Sequence, residues 1–234
     1  MKKLFLAFFL LGTSIFSQAQ SLEEIVKKHI DAIGGETNWR KVKSMKMDAV
    51  TKANGADIKV SRVVVDKKAM RMDLDVFGMK GWAIITDKEG WQFMPFQGQT
   101  KYEAMTADDV KSSQDQLQII DEFITYKDMG KKLELVGKDD MDGVECHKVK
   151  LTDKEGVETS YWIDPSNYFI IKSVTKTTAN GKEVEATLTY SNYKKHDTGI
   201  VMAYSMGGDM GDIEIQNIEI NGTIDEKLFK PSEQ

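Results

Sequence analysis

The sequence predicts a mainly β (α+β) protein, an antiparallel sheet with one wet and one dry face flanked by two helices. Three observations carry this reading. Period-two alternation recurs along the chain: Met70, Met72, Leu74 and Val76 alternate with Arg71, Asp73 and Asp75, and Val184, Ala186, Leu188 and Tyr190 alternate with Glu183, Glu185, Thr187 and Thr189. Such one-sided strands belong to antiparallel sheets with a solvated side. Hairpin-type turns, Asn54-Gly55, Asp87-Lys88-Glu89-Gly90, Asp142-Gly143 and Asn180-Gly181, fall between the apolar runs. Two other segments show helical spacing instead.

Taken in order, the chain opens on an address. Lys2 and Lys3 precede the apolar run Leu4 to Ile15, and Ser17-Gln18-Ala19 offers small residues for cleavage after Ala19. Residues 1–19 therefore read as a secretory signal peptide, since a membrane span needs roughly 20 apolar residues. Residues 20–234 read as one domain, with no Pro- or Ser-rich linker and no repeat of solenoid length. Ser21-Leu22-Glu23-Glu24 fits a helix-capping box. Leu22, Ile25, Val26, Ile30 and Ile33 form a stripe that needs a sheet to bury it, and Gly34-Gly35 stops the helix. Met45, Met47 and Ala49 mark the first strand. Further strands are expected at 57–65, around 70–76, at 81–86, 91–96, 131–138, 143–152, 157–164 and 168–178, around 184–190, and at 199–206 and 211–220. In the last, Ile213 and Ile215 take one face while Ile218 and Ile220 take the other, so a β-bulge is expected near Gln216-Asn217. Between the two sets of strands, Val110, Leu117, Ile120 and Ile124 predict a helix over 106–124 with Thr106 as its cap. The polar run Lys111 to Gln116 thins its stripe, which suits a helix lying across an opening.

Composition excludes several classes. A formal charge of −5 argues against a nucleic-acid partner. One cysteine, Cys146, cannot build a disulfide framework and reads as a small core residue. It lies far from the cleavage site, so no lipid is attached there and the exported protein is expected to be soluble. The sequence has no His-Glu-x-x-His, no Gly-x-Ser-x-Gly and no Walker loop. His29, His147 and His196 lie on different elements and read as structural or surface residues. No enzyme activity, cofactor or metal is expected.

The thirteen methionines are more informative. Met45 with Met47, Met70 with Met72, and Met202 with Met206 each share a face. They read as core packing, as an adaptable apolar surface, or as a thioether site for Cu(I). Trp82 shares a face with Ile84, and Trp91 with Phe93. On a curved sheet these faces would line the concave side. Arg62 sits on the apolar face of Ile58, Val60 and Val64, either snorkelling at a strand end or reaching into a cavity as a polar anchor. The candidate ligand-binding residues are thus Arg62, Met70, Met72, Leu74, Trp82, Ile84, Trp91 and Phe93, expected to converge under the helix. The same alternation predicts Leu188 on a dry face.

One run, Gly81-Trp82-Ala83-Ile84-Ile85-Thr86-Asp87-Lys88-Glu89-Gly90-Trp91, resembles paired strands of the outer-membrane lipoprotein-sorting proteins, the LolA/LolB-like family. Tyr161-Trp162-Ile163-Asp164-Pro165-Ser166, Asn180-Gly181, Ile224-Asp225 and Leu228-Phe229-Lys230-Pro231 resemble its second half and end. The resemblance rests on the order of these motifs over most of residues 20–234. It implies an unclosed antiparallel β half-barrel with helices covering the concave face. It also implies a soluble periplasmic carrier of lipid or acylated lipoprotein, handing cargo between membrane-bound donor and acceptor proteins and working as a monomer. The soluble carriers have an arginine followed by proline between early strands, and that arginine holds the helices shut. Here the turn reads Asp66-Lys67-Lys68, so that role passes to no residue and a related binder of hydrophobic ligands is favoured. The readings left beside it are a periplasmic interaction or sensor module without lipid cargo, and an enzyme with an unrecognised site.

Overall fold

The structure is a computed structural model that describes residues 20–53, 56–179, 182–208 and 211–231. The signal-peptide reading and the Asn54-Gly55 and Asn180-Gly181 turns lie outside the described residues.

Helix α1 (Leu22–Ala32) starts where the capping box puts it, with the Ser21 hydroxyl accepting the Glu24 N–H at 3.2 Å. It ends at Gly34, whose φ of +104° suits only glycine and whose missing Cβ lets Gly199 pack against it. A single turn, α2 (Glu36–Trp39), follows and was not foreseen. Six strands come next: β1 (Ser44–Ala53), β2 (Ala56–Val65), β3 (Ala69–Val76), β4 (Met79–Thr86), β5 (Gly90–Phe93) and the two-residue β6 (Glu103–Ala104). After two short helices, α3 (Ala107–Ser112) and α4 (Glu122–Thr125), seven more strands complete the chain. These are β7 (Lys132–Met141), β8 (Val144–Thr152), β9 (Glu158–Ile163), β10 (Ile170–Ala179), β11 (Lys182–Lys195), β12 (Val201–Gly208) and β13 (Ile213–Ile220).

All thirteen strands form one antiparallel sheet that does not close into a barrel, in the order β6-β5-β4-β3-β2-β1-β13-β12-β11-β10-β9-β8-β7. Every pair of hydrogen-bonded strands is consecutive in sequence except β1 with β13, and the consecutive strands β6 and β7 do not pair. The expected bulge is there: Asp48 faces Asn217 and Ala49 faces Ile215, leaving Gln216 as the extra residue.

Because β6 and β7 sit at opposite edges, residues 105–131 must cross the sheet. This strap is not the single helix expected over 106–124. It consists of α3, a 3-10 turn at Gln114–Leu117, an extended step at Gln118, and α4. Extended chain advances about 3.3 Å per residue against about 1.5 Å for a helix, so a broken strap reaches further. The polar stretch Lys111–Gln116 also had too little to bury to hold one helix together. The Thr106 cap is as expected, its hydroxyl accepting the Asp109 N–H at 3.1 Å.

The strap and α1 cover one face of the sheet. Leu117 packs with Val64, Met70 and Ile85. Ile120 and Ile124 meet Met45, Ala49, Ile215 and Ile218, together with Ile33 and Trp39. Phe123 joins Ile25 of α1 against Val149, Leu151 and Ile163. Cys146 is fully buried and free, as a small core residue should be. Leu188 departs from expectation: it is 37% exposed. The sequence does alternate, but this part of β11 faces polar partners, Leu188 opposite Ser173 and Ala186 opposite Thr175, and not an apolar cluster.

Candidate ligand-binding cavity

Directly opposed residues of antiparallel strands share a face, so the register decides where the eight candidates point. Arg62 opposes Met72, Val64 opposes Met70, and Val60 opposes Leu74. Met70 in turn opposes Ile85. These side chains take the helix-covered face. Trp82 opposes Asp73 on one side and Phe93 on the other, and Ile84 opposes Arg71 and Trp91. These take the outer face. The register brings Arg62, Met70, Met72 and Leu74 together, brings Trp82, Ile84, Trp91 and Phe93 together, and keeps the two sets on opposite sides of the sheet. The expected convergence fails because Trp82 and Met72 differ in parity once β3 and β4 are aligned, which the turn alone sets.

The outer set forms a small core with Val63 and Ala69, closed by Tyr102 and by Ile224 and Phe229 of the C-terminal segment. Trp82 and Leu74 also border a trough of 510 Å³, lined by Ala49, Val50 and Val60 as well as by Asp48, Ser61 and Asp73. Arg62 on the inner face donates from Nη2 to the Gln116 carbonyl at 2.6 Å, tying β2 to the strap. Burial pulls its pKa below the ordinary arginine value. Two further bonds fasten the same stretch. Asp66 Oδ1 accepts the Ile119 N–H at 3.1 Å, and the Lys67 N–H donates to the Leu117 carbonyl at 2.9 Å. The Asp66-Lys67-Lys68 turn thus holds the strap through its backbone and one carboxylate.

The inner face also carries a half-open cavity of 250 Å³ beside α1 and α4. Its apolar wall is Ile33, Trp39, Met47, Met202, Met206 and Ile215. Its polar wall is His29, Asp121, Glu122, Tyr161, Tyr190 and Tyr193. None of the eight candidates lines it. The methionine faces at Met47, Met202 and Met206 pointed to its apolar wall. The polar wall gave no signal, because its groups come from α1, α4, β9 and β11 and share no spacing.

The polar wall is built from partnered groups and one orphan. The Tyr161 hydroxyl donates to Glu122 Oε1. Tyr190 hydrogen-bonds Ser173 Oγ at 2.9 Å, and Tyr193 donates to the Ile170 carbonyl at 2.6 Å. Burial raises the pKa of all three tyrosines, which keeps them neutral. Burial also raises the pKa of Glu122, against the opposing pull of Tyr161 and of Lys131, whose Nζ lies 3.5 Å from Glu122 Oε2. Asp121 Oδ1 accepts the Phe123 N–H at 2.9 Å as the cap of α4. His29, 1% exposed, has Nδ1 2.8 Å from the Tyr168 carbonyl, while its Nε2 has no hydrogen-bond partner and sits 3.8 Å from Asp121 Oδ1.

An open, wholly antiparallel sheet wrapped round short helices, with a cavity between them, is the LolA-like architecture. A LolA superfamily protein from Nitrosomonas europaea superposes with a TM-score of 0.58 at 12% identity, over 91% of this chain and 99% of that one. A DUF1329 family protein from Desulfovibrio piger superposes with a TM-score of 0.53 at 13% identity, over 91% and 98%. No protein-family model matches the chain, and no curated protein does. At these identities the likeness establishes the fold.

Proposed function

We propose that this protein is an exported, soluble, non-enzymatic binder and carrier of lipid or lipoprotein acyl chains. The observation that carries the reading is the methionine-rich inner face, covered by α1, the single turn α2 and a strap of short turns. Met47, Met202 and Met206 line space there that is already open. Methionine adapts to chains of varied shape, and each buried methylene contributes roughly 0.8 kcal/mol, so even a short acyl segment is held usefully. Met70, Met72 and Leu74, with Arg62 tying the strap above them, extend the same face and would be reached by a longer chain once the strap shifts. The LolA-like fold supports this reading. No described helix is long and apolar enough to cross a membrane, which fits export behind a cleaved leader at residues 1–19.

Protein purified from its native envelope fraction and extracted with organic solvent should yield stoichiometric lipid by mass spectrometry. Lipid-free protein that also fails to bind acyl chains added in vitro would overturn the proposal.

A further inference from the structure

The cavity's polar wall offers acceptors almost exclusively. A carbonyl cannot donate, so the contact with Tyr168 fixes a proton on His29 Nδ1, and in the tautomer this sets Nε2 is an acceptor with no hydrogen-bond partner. That acceptor is buried and lines the cavity. Beside it lies the Asp121 carboxylate, which among the described residues pairs with no lysine or arginine. Glu122 adds a second carboxylate, partly balanced by Lys131, which itself sits 2.7 Å from Asp115 and does not line the cavity. Tyr161 and Tyr193 have spent their protons on Glu122 and Ile170, so their oxygens also present lone pairs. Among the described residues no cluster of His, Cys, Asp and Glu is arranged to hold a metal ion. An unpaired buried acceptor is costly, and His29 Nε2, flanked by carboxylate and phenol oxygens with lone pairs to spare, calls for a donor.

We propose that this cavity selects single-chain amphipaths whose head is a hydrogen-bond donor, a primary ammonium foremost and a hydroxyl next, and disfavours free carboxylates. The head sits between His29 Nε2 and the Asp121 carboxylate, and the chain lies along Met47, Met202, Met206 and Ile215. At 250 Å³ the cavity is slightly below the roughly 300 Å³ at which ligand pockets begin, so it takes one short chain, or one segment of a longer one. The inference rests on the reading that this cavity takes a chain and adds which head accompanies it.

Calorimetric titration at neutral pH with decylamine, decanol and decanoate tests it with one chain and three heads. Hydrogen bonds to charged groups set the scale, so decylamine should bind at least about tenfold more tightly than decanoate, with decanol between. Asp121→Asn keeps the cap for Phe123 but removes the charge, and should erase most of decylamine's advantage over decanol. Glu122→Gln, which still accepts from Tyr161, should reduce it less and serves as the readout if Asp121→Asn does not fold. Equal or tighter binding of decanoate would overturn the head selectivity while leaving lipid binding intact. An ammonium preference undiminished in the folded variants would also overturn it. Failure of all three chains to bind, as expected if only water occupies the cavity, would overturn both this inference and the lipid-binding function.

Discussion

Leu188 and Met70 lie on strands with the same clean alternation, yet one is 37% and the other 1% exposed. Alternation fixes which residues share a face, and only a covering element makes that face dry. Leu188→Asp should therefore change stability little, within about 1 kcal/mol, whereas Met70→Ala should cost roughly 2–5 kcal/mol. Chemical denaturation of both variants checks the contrast, and a severe loss in Leu188→Asp would mean that β11 is covered. Cys146 makes a parallel case. It is fully buried, and burial, with lesser contributions from Asp164, Asp140 and Asp139, raises its thiol pKa. It should resist thiol reagents in native protein and react promptly once the chain is unfolded. Glu122 links residue to pH. Burial raises its pKa in the folded chain, so the folded state holds this proton more tightly than the unfolded one. The cost of ionising it is absent below the ordinary carboxylate range, grows as pH rises through the raised value, and is complete above it. The melting temperature of Glu122→Gln relative to wild type should climb across that window, and a flat difference would refute the shift.

At the scale of elements, α1 and the strands were legible because caps, turns and periodicity are local signals. Ser21, Thr106 and the Asp142-Gly143 turn act through neighbours a few residues away. Even the bulge at Gln216 could be read, because it reverses parity within one strand. The strap could not be read as it is. Its break depends on where β6 and β7 end up, and that is set by the whole sheet. The convergence of the candidate residues was hidden for the same reason: alternation groups Met72 with Met70 and Trp82 with Ile84, but only the β3–β4 register relates the two groups and sets them on opposite faces. Three bonds from one side, by Arg62, Asp66 and Lys67, fasten the strap's middle to β2 and its turn. Arg62→Met should leave the fold intact and speed amide exchange in residues 116–119 by about ten- to a hundredfold, as expected for losing a bond worth about 1.5–3 kcal/mol when the donor is charged. Unchanged exchange there would mean the strap is held elsewhere.

For the whole molecule, the sheet is two meanders, β1–β6 and β7–β13, each built almost entirely from pairings between strands adjacent in sequence. The one exception is the ladder between β1 and β13, where Met45 meets Ile220 and Thr51 meets Ile213. Within each meander, hairpins can form one after another at little cost in loop entropy. The β1–β13 ladder closes a loop of roughly three-quarters of the chain, and long-range pairing of this kind is slow. Refolding should therefore show an early phase, in which hairpins of both meanders gain protection, and a later phase in which protection of β1 and β13 amides rises together. Until that later phase ends, the inner faces of both halves stand open to solvent with their methionines exposed. A newly made chain then depends on its speed of closure, or on a holding partner, to avoid pairing with another copy along the unclosed β1 and β13 edges.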